Sequence, residues 1–344
     1  MSLHMSLISD IEACAKKKCI LVVGDFFLDK YIYTRDADAG VSLYSGGPAY
    51  VIKKTKTSPG AAGTVAKNLA NLGIGTVYAV GFRGDDGDGF TLEKELLQLG
   101  INTDNLFVSQ SIDTPCYTMI MRDSGNGFVE YGEASVQNLH KTVLEDEIKL
   151  ISAINDLVES KHPDAIIFLD QLDSEDCGVI TRKVRRHISY LTSQHPEMLI
   201  YIDSRKHISD VDEKAIRKCN EYEFIRAYSI EERLLPAVCA GVSQNTSAPV
   251  IVTLGKTGTI AGVNGAILLS SSFPLTGEID TRGAGDAFTS GYISAKLANV
   301  SEEQSLFFGN VVASCCVSQV ATTGTITMDT VRSAIERDSC CKER

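Results

Sequence analysis

Short apolar, β-branched runs recur along the chain at residues 20–23, 76–80, 165–169, 199–202, 223–225 and 250–254. Amphipathic segments lie between most of them, at 61–72, 92–99, 144–158, 177–191 and 230–240. Strand-sized runs that alternate with helix-length segments predict an α/β fold, a mostly parallel sheet flanked by helices. Ligands of such folds bind at the carboxyl ends of the strands, so the chemistry is expected there.

Two regions break the alternation. Residues 31–57 and 114–131 read as short strands and turns without helices, and residues 123–127 read as a hairpin turn. Together they predict a small inserted β-sheet beside the main one, acting as a lid or a dimer contact. No linker or repeat divides the chain, so residues 11–335 are expected to form one domain. Residues 1–10, with their repeated Met-Ser-Leu, and the tail 336–344 are expected to lie outside it.

Charge and cysteine content narrow the function. The net charge of −11 is wrong for a protein that coats phosphate backbones, so no nucleic-acid partner is expected. No apolar run reaches the ~18–20 residues of a membrane helix, and the start has no signal-peptide pattern. Ten scattered cysteines without a CxxC read as free thiols in a reducing cytoplasm.

Several motifs fail on spacing. Gly255-Lys256-Thr257 lacks the upstream glycine of a P-loop, because that position is Val250. Gly24-Asp25-Phe26 is no dinucleotide fingerprint, and residues 85–89 do not supply calcium-loop ligands in either register.

One stretch holds. Asp280-Thr281-Arg282-Gly283-Ala284-Gly285-Asp286 precedes a helical pattern over 289–298. Glycines at a helix start let backbone N–H groups approach an anion, and Asp286 falls in the first turn. An anion cradle beside a carboxylate suits phosphoryl transfer to an alcohol, with Asp286 as the base. The helix terminus is expected to lower the Asp286 pKa. By spacing alone, an ordinary glycine turn with an acidic helix start fits as well.

This stretch resembles the DTxGAGD signature of the PfkB/ribokinase family of carbohydrate kinases. Pro59-Gly60-Ala61-Ala62-Gly63-Thr64-Val65-Ala66 resembles the family's PGGxxxNVA motif, with Ala61 and Thr64 in place of Gly and Asn. Val22-Val23-Gly24-Asp25 with Asp29 resembles its first strand and sugar-binding Asp. Residues 81–89 resemble its VGxDxxG segment, and Val252-Thr253-Leu254-Gly255 with Gly258 its VTxGxxG loop. The start resembles the heptose-phosphate kinase domain of bacterial ADP-heptose synthesis, and a stand-alone kinase without a following nucleotidyltransferase is expected.

The resemblance implies a ribokinase-like fold and an ATP- and Mg²⁺-dependent kinase acting on a sugar or sugar phosphate. Asp286 would be the base and Gly283, Ala284 and Gly285 the anion hole. Asp29, Asp25, Gly60 and Thr64 would face the sugar. Arg226, Thr253, Gly255, Gly258 and Asn310 would face the nucleotide. Glu231 would serve magnesium indirectly, as the remnant of an NxxE motif expected at residues 228–231. Asp280 and Thr281 would sit where some relatives bind K⁺, and the lid would form a homodimer. A non-catalytic sugar- or nucleotide-binding relative and a nucleoside kinase are the other readings.

Overall fold

The computed structural model describes residues 3–35, 38–123, 125, 128–211, 214–274, 280–318 and 326–342. Helix α1 (Leu3–Ala15) leads into strand β1 (Cys19–Gly24) and the long β2 (Phe26–Arg35). A small ribbon, β3 (Gly40–Val41) and β4 (Pro48–Ala49), precedes β5 (Ile52–Ala61) and α2 (Ala62–Asn71). Then follow β6 (Thr76–Gly84), α3 (Gly87–Gln98), β7 (Asn102–Ser109), β8 (Cys116–Asp123) and β9 (Phe128–Val136). The next stretch alternates: α4 (Leu144–Lys161), β10 (Ala165–Asp170), α5 (Arg182–Gln194), β11 (Leu199–Ser204), β12 (Ile216–Asn220), α6 (Glu221–Tyr228), α7 (Leu235–Thr246) and β13 (Val250–Thr253). Strands β14 (Thr259–Val263) and β15 (Ala266–Ser270) precede α8 (Ala284–Leu297), α9 (Glu302–Val317) and α10 (Met328–Lys342).

The main sheet has nine strands in the order β15-β14-β13-β12-β11-β10-β1-β6-β7. Pairings from β7 to β13 are parallel, and β14 and β15 run antiparallel at the edge. One face packs on α2, α3 and α8 through Ile20, Val22, Leu69 and Phe288, and the other on α4, α5 and α6 through Leu21, Val23, Ile154, Ile188 and Phe224. A sheet covered on both faces is why its strands read as continuous apolar runs.

The second sheet, β5-β2-β8-β9, comes from the two expected insertions. It begins earlier than expected, at Phe26, because β2 continues almost directly from β1. Part of the 123–127 turn lies outside the described residues.

Three expectations are corrected. Residues 223–225 are not a strand: they lie in α6, and the missing strand is β12, whose Arg217 and Lys218 broke the apolar pattern. Residues 1–10 are not all outside the fold: α1 buries Leu7, Ile8 and Ile11 against α8, α9 and α10. The tail does not begin at 336, because α10 continues to Lys342. No helix among the described residues is long and apolar enough to cross a membrane. The eight cysteines with described side chains are free.

Candidate active site

Parallel strands bring their carboxyl ends to one edge, and that edge carries Asp25, Asp170, Asp203, Asn220 and Thr253. Above it α8 begins. Gly283 is its N-cap with φ of 71°, a left-handed conformation suited to glycine. A helix start leaves the first N–H groups without a carbonyl one turn back, so those of Gly285 and Asp286 gather at this point, while the Ala284 N–H donates to the Thr281 carbonyl at 3.3 Å. The first closing bond runs from Ala287 N–H to the Gly283 carbonyl at 2.9 Å.

Beneath the helix start lies a buried ion pair. Asp203 on β11 and Lys218 on β12 are register partners, with Lys218 Nζ 2.6 Å from Asp203 Oδ2. A Cβ added to Gly285 would stand 2.9 Å from Lys218 Nζ, so the ammonium lies against the glycine backbone. Burial pushes the Lys218 pKa down, but the Asp203 charge and hydrogen bond, with Asp286 and Glu223, outweigh it and the net shift is upward. Sequence reasoning missed both residues. The signal for Lys218 was a basic residue inside an otherwise strand-like run.

Asp286 departs from expectation. Burial raises its pKa to about 7; Lys218 and Arg205 act against this, while Asp203 and Asp29 add to it. The helix terminus does not prevail, because desolvation of a carboxylate in a walled cleft is the larger effect. A carboxyl near 7 is a better general base at neutral pH than one near 4.

Asp29 projects from β2 toward the same cleft. Burial lifts its pKa to about 6 against the pull of Lys67 and Arg282. Gly60, opposite on β5, has to be glycine: a Cβ there would collide with the Asp29 carboxylate. Thr64 is turned inward, its hydroxyl donating to the Pro59 carbonyl at 3.1 Å. Ala61, the residue standing for a family glycine, is held at φ 51° and ψ −120°, strain of about 1–3 kcal/mol for a residue with a Cβ.

A second stretch has the NxxE spacing. Glu231 is exposed and pairs with Arg233 at 2.7 Å, and Tyr228 packs on Phe224. The sequence Asn220-Glu221-Tyr222-Glu223 has the required spacing and stands at the carboxyl end of β12. The Asn220 side chain accepts from Glu223 N–H, and Glu223 Oε2 accepts from Asn220 N–H, both at 2.8 Å. Glu223 is raised by burial and feels Asp203, Lys218 and Arg205, so it belongs to the cluster and Glu231 does not. Reading 223–225 as a strand hid this match.

The other expected residues have the following surroundings. Asp25 accepts N–H bonds from Gln171 (3.1 Å) and Val179 (2.8 Å) and borders a separate cavity of about 30 Å³, so it holds the 171–179 loop. Asn310 is buried: its amide donates to Ser270 and Ser271 and accepts from Thr259, fixing the end of β15 to α9. Arg226 is bonded to Asp173 and to the Arg205 carbonyl. Asp280 is held by Arg282 through both carboxylate oxygens. Thr281 is exposed beside it. Thr253 ends β13, register partner of Asn220, and the turn beyond it carries Gly255 and Gly258 at positive φ. A Cβ at Gly258 would collide with the Ser270 carbonyl. A hollow of about 600 Å³ lies at the opposite ends of the strands, with Lys18 and Lys296 in its wall already paired to Asp164 and Glu302, and has no part in this site.

A carboxylate at a glycine-opened helix start, set on the carboxyl edge of a parallel sheet beside a smaller sheet, is the layout of a small-molecule phosphotransferase. Residues 19–328 match the model of the pfkB family of carbohydrate kinases, and the chain belongs to that family. It is 24% identical over 319 residues to the bifunctional protein HldE of Bradyrhizobium sp. (strain ORS 278), covering 91% of this chain and 62% of that protein. It is 25% identical over 323 residues to an uncharacterized sugar kinase of Buchnera aphidicola subsp. Schizaphis graminum, covering 89% and 93%. The ribokinase-like fold is shared with phosphofructokinase-2 from Escherichia coli, solved with substrates and products (TM-score 0.71, 14% identity, 94% of this chain and 99% of that one). It is shared also with Arabidopsis thaliana ribokinase complexed with ribose and ATP (TM-score 0.65, 20% identity, 93% and 99%).

Proposed function

We propose that the chain transfers the γ-phosphoryl group of ATP to a hydroxyl of a sugar or sugar phosphate. Asp286 takes the proton as the acceptor oxygen bonds to phosphorus and the bond to the ADP oxygen breaks. The N–H groups of Gly285 and Asp286 just past the Gly283 cap, with Lys218 below them, stabilise charge on the transferring group. Asp29 orients acceptor hydroxyls, and Gly60 gives it room. The turn Thr253–Gly258 runs along the nucleotide. Glu223 is the carboxylate suited to Mg²⁺, which needs one or two carboxylates and otherwise takes phosphate and water oxygens; bound there it would neutralise triphosphate charge. No role is proposed for K⁺.

The observation that carries this reading is Asp286 in the first turn of α8 behind the Gly283 cap, over the buried Lys218–Asp203 pair. The family match supports the reaction class, and the NxxE spacing at residues 220–223 answers one of the motives for a non-catalytic reading. Coupled ADP release with D-ribose, D-mannose, D-fructose 6-phosphate and adenosine, with and without Mg²⁺, tests it. Turnover only with adenosine would favour the nucleoside kinase, and no turnover would overturn the proposal. The proposal includes a homodimer through the exposed apolar side chains of the small sheet, such as Ile52, Val129 and Tyr131; a monomer in sedimentation would exclude it.

A further inference from the structure

Strand β2 presents Asp29, Tyr31 and Tyr33 on one face by its period of two. Tyr31 is only 2% exposed, and its phenol oxygen is buried without a hydrogen-bond partner. Met119 on β8 and Lys56 on β5 are its register partners. From the signature loop, Arg282 stacks toward the ring with Cζ 5.9 Å from its centroid. Arg282 also bonds Asp280, Glu130 on β9 and the Met119 sulfur, so it ties the small sheet to the loop that opens α8. The phenol therefore lies under the small sheet, between the acceptor carboxylate Asp29 and the signature loop. Asp29, Arg282 and Asp280 all act on it electrostatically, and burial pushes its pKa well up, so it stays protonated as a donor.

A buried hydroxyl left unpaired is destabilising, because it gives up its water without a replacement. Phenylalanine would fill the same space without that cost, so packing does not explain the oxygen. We propose that Tyr31 is an acceptor-binding residue whose O–H donates to an oxygen of the bound sugar beside the one held by Asp29. The inference rests on the kinase reading and refines its substrate class. A carboxylate accepts from one hydroxyl, and a phenol donates to the next. Two adjacent acceptor oxygens, a vicinal diol, satisfy both, and an acceptor lacking either one leaves a buried polar group unpaired.

Tyr31→Phe in the full chain tests this through two readouts that a purely structural tyrosine would move together. Ligand-free thermal stability is expected to stay equal or rise, because the substitution removes an unpaired oxygen. The acceptor KM is expected to rise about three- to tenfold, the worth of one neutral hydrogen bond, with kcat within about twofold. A deoxy acceptor missing the paired oxygen is expected to be handled alike by both proteins. A fall in ligand-free stability would show an internal partner for the phenol and overturn the inference, as would an unchanged KM. If no sugar in the panel is phosphorylated, calorimetric titration with the same sugars separates the two ideas. Binding that Tyr31→Phe weakens keeps the subsite while the kinase reading fails. Binding that is absent, or indifferent to the substitution, overturns the subsite.

Discussion

Replacing Asp203 with alanine probes the charge arrangement under the α8 start. Asp203 and Lys218 face each other 2.6 Å apart, with each side chain 6% exposed. At an effective dielectric of about 20, unit charges at that separation attract by about 6 kcal/mol. Most of this offsets the cost of removing both groups from water, so the intact pair adds little net stability. Truncating one partner is different, because the other stays buried and charged at a cost of about 3–5 kcal/mol. Asp286 and Glu223 still act on Lys218 and supply part of the lost compensation, so the expected loss is near the lower end, about 3 kcal/mol. The chain has no tryptophan, so urea unfolding is best followed by circular dichroism. The double variant Asp203→Ala/Lys218→Met completes the cycle and is expected to be at least about 1 kcal/mol more stable than the sum of the single losses implies. A single-variant loss under about 1 kcal/mol, or strict additivity in the cycle, would refute the reasoning. Asp203 also raises the Asp286 pKa, so Asp203→Asn should move the acid limb of the kcat/KM profile to lower pH.

Four further outcomes follow from the structure. Wild-type kcat/KM should rise with pH through about 7 as Asp286 ionises, and Asp286→Asn should lower turnover by about 10²–10⁴-fold with nucleotide binding retained; retained turnover sinks the base assignment. Asp25 and Asp286 both sit near 7 when folded, above their ordinary 3.8. The folded state therefore binds more protons between those limits, and this contribution to stability declines as pH rises from about 4 to about 7; melting temperatures of Asp25→Asn and wild type across that range test the sign. Glu223→Gln should raise the Mg²⁺ concentration needed for half-maximal activity, while Glu231→Gln leaves it unchanged, and the reverse result would restore the original placement of the motif. Ala61→Gly should stabilise the protein by about 1 kcal/mol, since glycine tolerates φ of 51° without strain; a loss in chemical unfolding would show that the alanine methyl contributes more by packing than the backbone loses.

How much was legible depended on whether the information was local. The alternation of apolar runs and amphipathic segments gave the α/β class, because burial of a parallel sheet on both faces writes itself into contiguous sequence. The Asp280–Asp286 stretch gave the helix start and its carboxylate, because glycine conformation and capping are short-range matters. Strand β12 was lost for the opposite reason: Arg217 and Lys218 interrupt its apolar pattern, and only pairing with β11 and β13 makes it a strand. With it went Lys218 and the placing of Asn220 and Glu223 at a strand end.

The sequence by itself determined most of the elements, the signature loop and the chemistry of one carboxylate's neighbours in the chain. Only the tertiary structure decided that Asp203 and Lys218 meet, that Asn310 and Asp25 hold loops, and that Arg282 ties the small sheet to α8. It also decided the sign of the Asp286 shift. A helix terminus is visible in seven residues, but desolvation and the charges of Asp203, Lys218 and Asp29 come from strands scattered across the chain. Electrostatics depends on distance in space, and that distance is set by the fold.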